Sequence, residues 1–295
     1  MRLATFSVNG RRSIGVVRDE GIVDLAEPGG AAPAMEMLLA EGAVGLARAR
    51  RARDRSGAAI PLASVHLHAP VTRPSKFLAI AANYQSHIDE VLAANPTYTP
   101  PTSQRWFAKL PSCINGPYDP IMAPPEGHEL DYEAELAIII GVRCRRVSER
   151  DAAQVIAGFA VCNDVSVRDW QRRSPTIMLG KSFDTHGPLG PWIVTPDEVG
   201  DPHALRITCA VNGKTRQDGS TSEMLANCYE QIEYLSTVCT LEPGDVIATG
   251  TPFGTGAAMK PPGLLQPGDV VRCEVERVGA IEAVVQAEAA VAHGQ

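Results

Sequence analysis

The sequence predicts an α+β protein in which strands dominate, folded as a mixed β-roll or sandwich. The 26 Gly and 23 Pro residues indicate many turns, and short apolar runs recur between them at strand length. Only residues 33–52 and 222–239 have the spacing of apolar residues that is typical of a long helix. Hydrophobic residues make up 44% of the 295 residues and charged residues 21%, so the chain can bury a sizeable core.

The order of patterns along the chain predicts two parts, a small N-terminal α/β domain over residues 1–70 and a larger domain over residues 71–295. In the first part, apolar and polar residues alternate in short strand-like runs, and Asn9-Gly10 predicts a hairpin turn. A helical pattern follows, and a group of prolines then indicates a linker near residue 70. The second part carries most of the strand candidates.

The charge balance excludes two classes of partner. The formal net charge is -7, whereas nucleic acids and anionic membranes are bound by a cationic surface. Residues 47–55 form one basic cluster, which we interpret as the solvated face of a helix. A small molecule is therefore the expected partner.

The cysteines and the N-terminus indicate the compartment. Seven Cys residues are scattered along the chain, and none forms a Cys-x-x-Cys pair, so we expect reduced and mostly buried thiols. The N-terminus lacks the apolar segment of a signal peptide, and no run of about 18 apolar residues predicts a membrane span. We expect a cytoplasmic protein.

Two glutamates, Glu133 and Glu135, stand two positions apart in an apolar run, so in a strand their side chains project from the same face. Two like charges beside a core are costly unless a cation lies between them, and Mg²⁺ or Mn²⁺ prefers carboxylate oxygens. The alternative is an edge strand whose polar face meets water. Asp164 directly follows the apolar run 155–163, and a third carboxylate at a strand end could complete a metal site.

Three other features could serve catalysis beside such a metal. His87 and Glu90 are three apart, so on a helix the carboxylate could orient the imidazole as a base. Lys181 could stabilise an enolate or a carboxylate, and the Gly/Thr loop of residues 249–256 could cradle a carboxylate. A surface His–Glu contact and a surface lysine are the alternatives.

Taken in order, these segments resemble the fumarylacetoacetate hydrolase family, especially its acylpyruvase-like and 2-hydroxyhepta-2,4-diene-1,7-dioate isomerase-like members. The resemblance covers roughly residues 74–283. The matching motifs are Asn83-Tyr84-x-x-His87-x-x-Glu90 and residues 115–121, 131–137, 158–171, 180–185, 189–195, 211–213, 241–247, 249–254 and 267–269.

The resemblance implies a catalytic domain built as a mixed β-roll, which takes up residues 71–295 here, usually in a homodimer. It implies Mg²⁺ or Mn²⁺ as the cofactor. The metal ligands carried over to this sequence are Glu133, Glu135 and Asp164.

The resemblance also implies roles for the other candidates. His87 and Glu90 would form a dyad on a mobile lid that deprotonates water, and Lys181 would be the active-site lysine. Thr251 would contact the carboxylate of the substrate, and Thr185 would support the metal from outside its ligand shell.

The expected activity is hydrolysis of a C–C bond in a 2,4-dioxo acid, of the acylpyruvate or fumarylpyruvate type, through a metal-stabilised enolate. The same device serves decarboxylation of oxaloacetate-type acids and isomerisation of hydroxydienoates in aromatic catabolism. A non-catalytic oxo-acid-binding protein on the same scaffold is the third hypothesis. The intact His87–Glu90 pair favours water activation over mere binding.

The sequence departs from the family pattern where a substrate would lie. Residues 91–106 form a longer lid that adds an arginine and two aromatic residues, and Thr255 replaces the usual Val after the Gly/Thr loop. These changes bear on the identity of the substrate. The candidate substrate-binding residues are Tyr84, Arg168, Gln171, Thr251 and Arg105.

Overall fold

The computed structural model describes residues 1–26, 34–54 and 59–289. Residue 33 of the first helical pattern and Arg55 of the basic cluster lie outside these ranges. The N-terminal part contains five strands and two helices. They are β1 (Arg2–Val8), β2 (Arg11–Arg18), β3 (Gly21–Asp24), α1 (Met35–Ala40), α2 (Ala43–Asp54), β4 (Ile60–Pro61) and β5 (His66–His68).

The remaining elements are mostly strands, separated by short helices and 3₁₀ turns. They are β6 (Phe77–Ala81), α3 (Gln85–Ala94), β7 (Arg105–Lys109), β8 (Ile114–Asn115), β9 (Ile121–Ala123), β10 (Leu130–Asp131), β11 (Ala134–Ile140), α4 (Glu149–Ala152), β12 (Ile156–Asn163), β13 (Ser166–Val167), α5 (Arg168–Gln171), β14 (Gly187–Val194), α6 (Pro196–Val199), β15 (Arg206–Val211), β16 (Lys214–Ser220), α7 (Cys228–Val238), β17 (Val246–Ala248), β18 (Val270–Val275) and β19 (Gly279–Ala287). The fold is α+β and rich in strands, as the sequence predicts.

Twelve strands form one large mixed sheet. Its path is β4-β3-β2-β1-β14-β12-β11-β17-β6-β7, with β5 paired to β1 and β8 paired to β14. Most pairs are antiparallel, while β17 and β6 run parallel. A second sheet, in the order β16-β15-β18-β19-β9, packs against the middle of the first.

The central strand β11 is buried on both faces. Its even-numbered side chains, such as Leu136 and Ile138, belong to the core that the two sheets enclose. Ala137 and Ile139 point the other way, into a second core that includes residues of α1 and α2. Because side chains alternate along a strand, Glu135 projects from the face of Ala137 and Ile139.

Both long helical patterns are shorter in the structure than in the sequence. Residues 33–52 were expected to form one helix, but α1 ends at Ala40 and α2 begins at Ala43. Gly42 lies between them with a φ of 57°, a left-handed conformation in which glycine avoids the cost of a Cβ atom. The second pattern, residues 222–239, corresponds to α7, which begins only at Cys228. The Asn227 side chain accepts hydrogen bonds from the first turn of α7 and caps the helix there.

The N-terminal strands continue the large sheet. In β1, Arg2 lies opposite Val194 of β14, and the N-terminal amine donates to Thr195 Oγ1 at 2.6 Å. The division at residue 70 therefore stays a prediction, since backbone pairing crosses it. Among the described residues, no helix is both long and apolar enough to cross a membrane.

Candidate metal centre and active site

Several strand ends meet at one edge of the large sheet. Because β6 and β17 are parallel and β11 runs against both, the start of β11 lies beside their carboxyl ends. In β12, Asn163 lies opposite Ala134 at the same edge. This topology brings together segments that are far apart in the sequence.

Three buried carboxylates converge there. Glu133, Glu135 and Asp164 each offer one oxygen atom, and these oxygens lie within 4.8 Å of one another. The three residues are 5%, 1% and 0% exposed. The Asp164 amide donates to the Glu133 carbonyl at 2.9 Å, which fixes the two strand ends against each other.

Two lysines neutralise part of this charge. Lys181, in a 3₁₀ turn, donates from Nζ to Glu133 Oε2 and to Asp164 Oδ2, both at 2.7 Å. Lys109, at the end of β7, donates to Asp164 Oδ1 at 2.7 Å and also to the Lys181 carbonyl. Burial lowers the pKa of Lys109, but Asp164 outweighs it and holds that pKa above its usual value.

An arginine connects the cluster to a fourth carboxylate. Arg168 forms ion pairs with Glu133 at 2.7 Å and with Asp131 at 2.8 Å. Asp131 in turn accepts backbone hydrogen bonds from Gly256 at 2.8 Å and from Ala257 at 3.0 Å. The Gly/Thr loop is thereby attached to the carboxylate cluster.

The two glutamates differ in their electrostatic surroundings. Burial opposes ionisation of Glu133, but Lys181 and Arg168 outweigh it and hold its pKa well below the usual range. Burial raises the pKa of Glu135, and the charges of Asp164 and Glu133 raise it further. Within the described chain no cationic side chain forms an ion pair with Glu135, which accepts a hydrogen bond from Gly250 N at 2.8 Å.

This donor set fits a divalent cation. With every group ionised, the four carboxylates and three cationic side chains of the cluster would leave one negative charge unpaired, at Glu135. A cation between the three oxygens would offset the repulsion that raises the pKa of Glu135. Oxygen ligands of this type suit Mg²⁺ and Mn²⁺.

His87 and Glu90 form the expected pair on α3. His87 Nδ1 lies 2.6 Å from Glu90 Oε1, and because a carboxylate only accepts, the hydrogen is assigned to Nδ1. The other ring nitrogen, Nε2, then carries a lone pair. The imidazole lines a cavity together with Arg168, the ion-pair partner of Glu133.

A cavity of about 580 Å³ opens beside the cluster. The helix α3, which we call the lid helix, lines one side of the cavity, and residues 172–177 after α5 line another. Four of the predicted catalytic or substrate-binding residues lie in its wall, namely His87, Arg105, Arg168 and Gln171. Its apolar wall includes Ile88, Val91, Ala94, Ile177, Ala257 and Ala258.

Comparison with known proteins identifies the family. The profile described as "Fumarylacetoacetate (FAA) hydrolase C-terminal" matches residues 76–286. The chain belongs to this family. A mitochondrial oxaloacetate tautomerase of Rattus norvegicus is 42% identical over 263 residues, which are 88% of this chain and 82% of that protein.

Two solved structures of the family share the fold. Maleylpyruvate hydrolase from Sphingobium, in complex with manganese(II) and pyruvate, has a TM-score of 0.82 and 35% identity. The 5-carboxymethyl-2-hydroxymuconate delta-isomerase from Mycobacterium smegmatis has a TM-score of 0.77 and 33% identity. Each comparison covers 98% of this chain and 100% of the other. The fold is therefore that of the fumarylacetoacetate hydrolase family, whereas cytoplasmic localisation and a homodimer remain predictions.

Two predicted substrate-binding residues do not reach the cavity wall. The Thr251 hydroxyl donates to the Ala134 carbonyl and accepts from Gln217, both at 2.8 Å, so it is already engaged by the protein. Tyr84 is fully buried, and the charge of Glu135 adds to the burial that raises its pKa. Thr251 thereby supports the start of β11, whereas the buried Tyr84 hydroxyl has no hydrogen-bond partner among the described residues. Thr185, expected near the metal, accepts a hydrogen bond from Met122 N.

Sequence reasoning assigned no role to Lys109, Asp131 or Asn83. Asn83 makes three hydrogen bonds of 2.8 to 3.0 Å to the backbone of Ala226 and Thr249, and so joins the segment before α3 to the Gly/Thr loop. Asp131 stands two positions before Glu133, a spacing that could have extended the carboxylate pattern. Lys109 directly follows the apolar residues 106–108 at the end of β7. A lysine at that position could have indicated a buried carboxylate as its partner.

Proposed function

We propose that this chain is a divalent-metal-dependent enzyme that interconverts the keto and enol forms of oxaloacetate or of a similar 2-oxo diacid. The observation that carries the proposal is His87, paired with Glu90, in the wall of a cavity beside three buried carboxylates. Tautomerisation needs one base that takes a proton from the carbon next to a carbonyl and returns it elsewhere. The rat tautomerase, similar over most of the chain, supports the choice of acid.

The metal would be held by Glu133, Glu135 and Asp164. When bound, a divalent cation supplies Lewis acidity to the oxygen atoms of a 2-oxo acid and so makes the neighbouring C–H bond more acidic. Lys181 fixes Glu133 and Asp164 from one side, while Lys109 fixes Asp164 from the other. These contacts hold the carboxylates of Glu133 and Asp164 in place before a cation binds.

His87 would move the proton. Its Nε2 lone pair takes a proton from the carbon next to the 2-oxo group, and the resulting imidazolium is stabilised by the Glu90 carboxylate at 2.6 Å from Nδ1. The same proton is then returned to the substrate oxygen, which yields the enol. In the reverse direction, the imidazole takes the hydroxyl proton and delivers it to carbon.

The arginines of the cavity would bind the anionic groups of the acid. The charge of Arg168 is largely neutralised by Asp131 and Glu133, so this arginine would orient a bound substrate more than it would attract the substrate's negative charge. Gln171 accepts a hydrogen bond from Arg168 at 3.0 Å and presents its amide group beside it. Among the described residues, the Arg105 guanidinium has the Pro175 carbonyl as its one hydrogen-bond partner, at 3.2 Å, so its remaining donors can bind a second carboxylate.

Hydrolysis of a C–C bond in a 2,4-dioxo acid is the second candidate. The cavity of about 580 Å³ is far larger than a four-carbon acid needs, and it leaves room for a longer acyl group and a water molecule. His87 would take the proton from water, whose oxygen attacks the distal carbonyl. The C–C bond breaks, and the pyruvate carbon takes the proton back from the imidazolium.

A substrate panel separates the two candidates. The chain is assayed with Mn²⁺ or Mg²⁺ on oxaloacetate, whose enol form is followed by ultraviolet absorbance, and on acetylpyruvate and fumarylpyruvate with product analysis by NMR. We expect metal-dependent tautomerisation that the Glu135→Gln and His87→Ala variants lack. Cleavage of acylpyruvates without tautomerisation would favour the hydrolase. Binding of these acids without turnover of any of them would overturn both and leave a binding protein.

A further inference from the structure

Four consecutive residues, 254–257, at the end of the Gly/Thr loop and directly after it, hold both parts of the site. Gly254 N donates to Glu90 Oε2 at 2.7 Å, and the Thr255 hydroxyl donates to Glu90 Oε1 at 3.0 Å. Gly256 N and Ala257 N donate to the two oxygens of Asp131, the partner of Arg168. One short loop therefore fixes the carboxylate behind the histidine base and the carboxylate behind the arginine.

Thr255 is the only side chain among these four donors. It is 2% exposed, and its hydroxyl shares Glu90 Oε1 with His87 Nδ1. Without that hydroxyl, Glu90 would keep one loop contact, through Oε2, and the carboxylate could rotate about it. With both contacts, the oxygen that faces His87 is fixed in position.

The same contact ties down the lid helix. The first turn of α3 is attached separately, because the Ser86 hydroxyl donates to Glu223 at 2.9 Å. Glu90 provides the attachment of the second turn. Beyond it, Val91 and Ala94 lie in the cavity wall with apolar side chains.

We propose that Thr255 is a positioning residue that holds Glu90, and through it His87, in the orientation needed for proton transfer, and that fastens the second half of α3 over the cavity. A hydrogen bond to a charged carboxylate contributes about tenfold or more to an equilibrium. The part of the inference that concerns turnover rests on the proposed function. The part that concerns the lid does not.

The test compares Thr255→Val, which keeps the shape and removes the hydroxyl, with Thr255→Ser, which keeps the hydroxyl. Thr5→Val is the matched control, because the Thr5 hydroxyl also makes one buried hydrogen bond, to the Pro70 carbonyl, in a strand that the site does not use. For each variant we measure kcat, KM, the Mn²⁺ affinity and amide hydrogen exchange of residues 91–95.

We expect Thr255→Val to lower kcat about tenfold and to raise exchange in the second half of α3 about tenfold. KM and the Mn²⁺ affinity stay within about twofold, since the metal ligands and the arginines are untouched. Thr255→Ser and Thr5→Val match the wild type in all four measurements.

Two results would overturn the inference: unchanged kcat and exchange in Thr255→Val, or equal losses in Thr255→Val and Thr255→Ser, which would indicate packing. Faster exchange with unchanged kcat would also contradict the positioning role. If Thr255→Val does not fold, Thr255→Ala replaces it in the comparison with Thr255→Ser. If the wild type turns over none of the acids, the proposed function fails, while hydrogen exchange still decides whether Thr255 fastens the lid.

Discussion

The carboxylate cluster and the His87–Glu90 pair lie side by side but are built differently. The cluster stands on the ends of central strands, and its three candidate metal ligands are at most 5% exposed. Lys181 and Lys109 form ion pairs with two of these ligands from two sides. The pair stands on a ten-residue helix at the edge of the cavity, each side chain is 16% exposed, and a loop holds it through hydrogen bonds. In the proposed function, this difference separates metal binding, which is assigned to the core, from proton transfer, which is assigned to a helix attached to the core.

Burying the cluster is costly for the fold. Several kcal/mol per ion are lost when charges leave water, and only well-placed partners repay this. Glu135 has no cationic partner in the described chain, and its raised pKa reflects that imbalance. A group that costs stability without a ligand is best explained by the ligand that it binds.

The largest expected effect is that of Glu135→Gln. With one of three ligand oxygens replaced by an amide, we expect the Mn²⁺ affinity to fall more than about 100-fold and turnover to vanish, because even residues outside a ligand shell contribute about 10- to 100-fold. Calorimetry measures the affinity. An unchanged affinity would show that Glu135 is not a ligand of the metal.

The next effect tests the other region. His87→Ala should lower kcat by a factor of about 10² to 10⁴, the usual range for a lost base, while the Mn²⁺ affinity stays within about twofold. Gln85→Ala is the matched control, because Gln85 lies on the same helix and its side chain bonds, within the described parts of the chain, only to the exposed Asp89. Equal losses of kcat and of metal affinity would contradict the separation of the two regions. Decarboxylation of oxaloacetate, which needs no base, would survive the substitution.

A smaller effect is expected at the far end of the cavity. Arg105→Gln should lower kcat/KM about tenfold for diacids such as fumarylpyruvate and leave acetylpyruvate unchanged, because only a diacid offers a second carboxylate. Arg172→Gln is the control, since Arg172 also lines the cavity but is paired with Glu129 at 2.7 Å. Equal losses for both acids would remove Arg105 from substrate selection.

The sequence could predict whatever depends on spacing along one strand. Glu133 and Glu135 share a face because side chains alternate, and Asp164 stands at a strand end because an apolar run precedes it. The register between strands was not readable. The ion pairs of Lys109 with Asp164 and of Arg168 with Asp131 depend on it, and they join residues 55 and 37 positions apart.

Contacts between distant segments also decide which donors of the Gly/Thr loop are engaged by the protein itself, and the substrate-binding role expected for Thr251 stays a prediction. A Gly/Thr loop is a plausible cradle for a carboxylate, and the loop does bind carboxylates. They are Glu90, Asp131 and Glu135 of the protein itself. Which donors of a loop face a ligand depends on which neighbours already occupy them, and Gln217 and Ala134 occupy the Thr251 hydroxyl.

The smallest effect concerns stability without metal. The pKa of Glu135 in the folded protein lies above its ordinary value of 4.5, so the folded chain holds a proton that the unfolded chain releases. The stability that this proton contributes is fully present below pH 4.5, and it is lost as the pH rises from 4.5 towards the pKa of Glu135 in the folded protein. Glu133 has the opposite shift, and its contribution is lost only on acidification.

In EDTA, the free energy of unfolding of the wild type should therefore fall relative to that of Glu135→Gln as the pH rises above the ordinary value of 4.5, by at most about 1.4 kcal/mol per pH unit, or roughly 2 °C in Tm. Saturating Mn²⁺ should abolish the fall in the wild type, because the metal replaces the proton, and should leave Glu135→Gln unaffected. Thermal unfolding followed by circular dichroism measures both. Parallel curves for the two proteins in EDTA would mean that Glu135 bears no excess charge and would remove the electrostatic argument that the cluster is built for a cation.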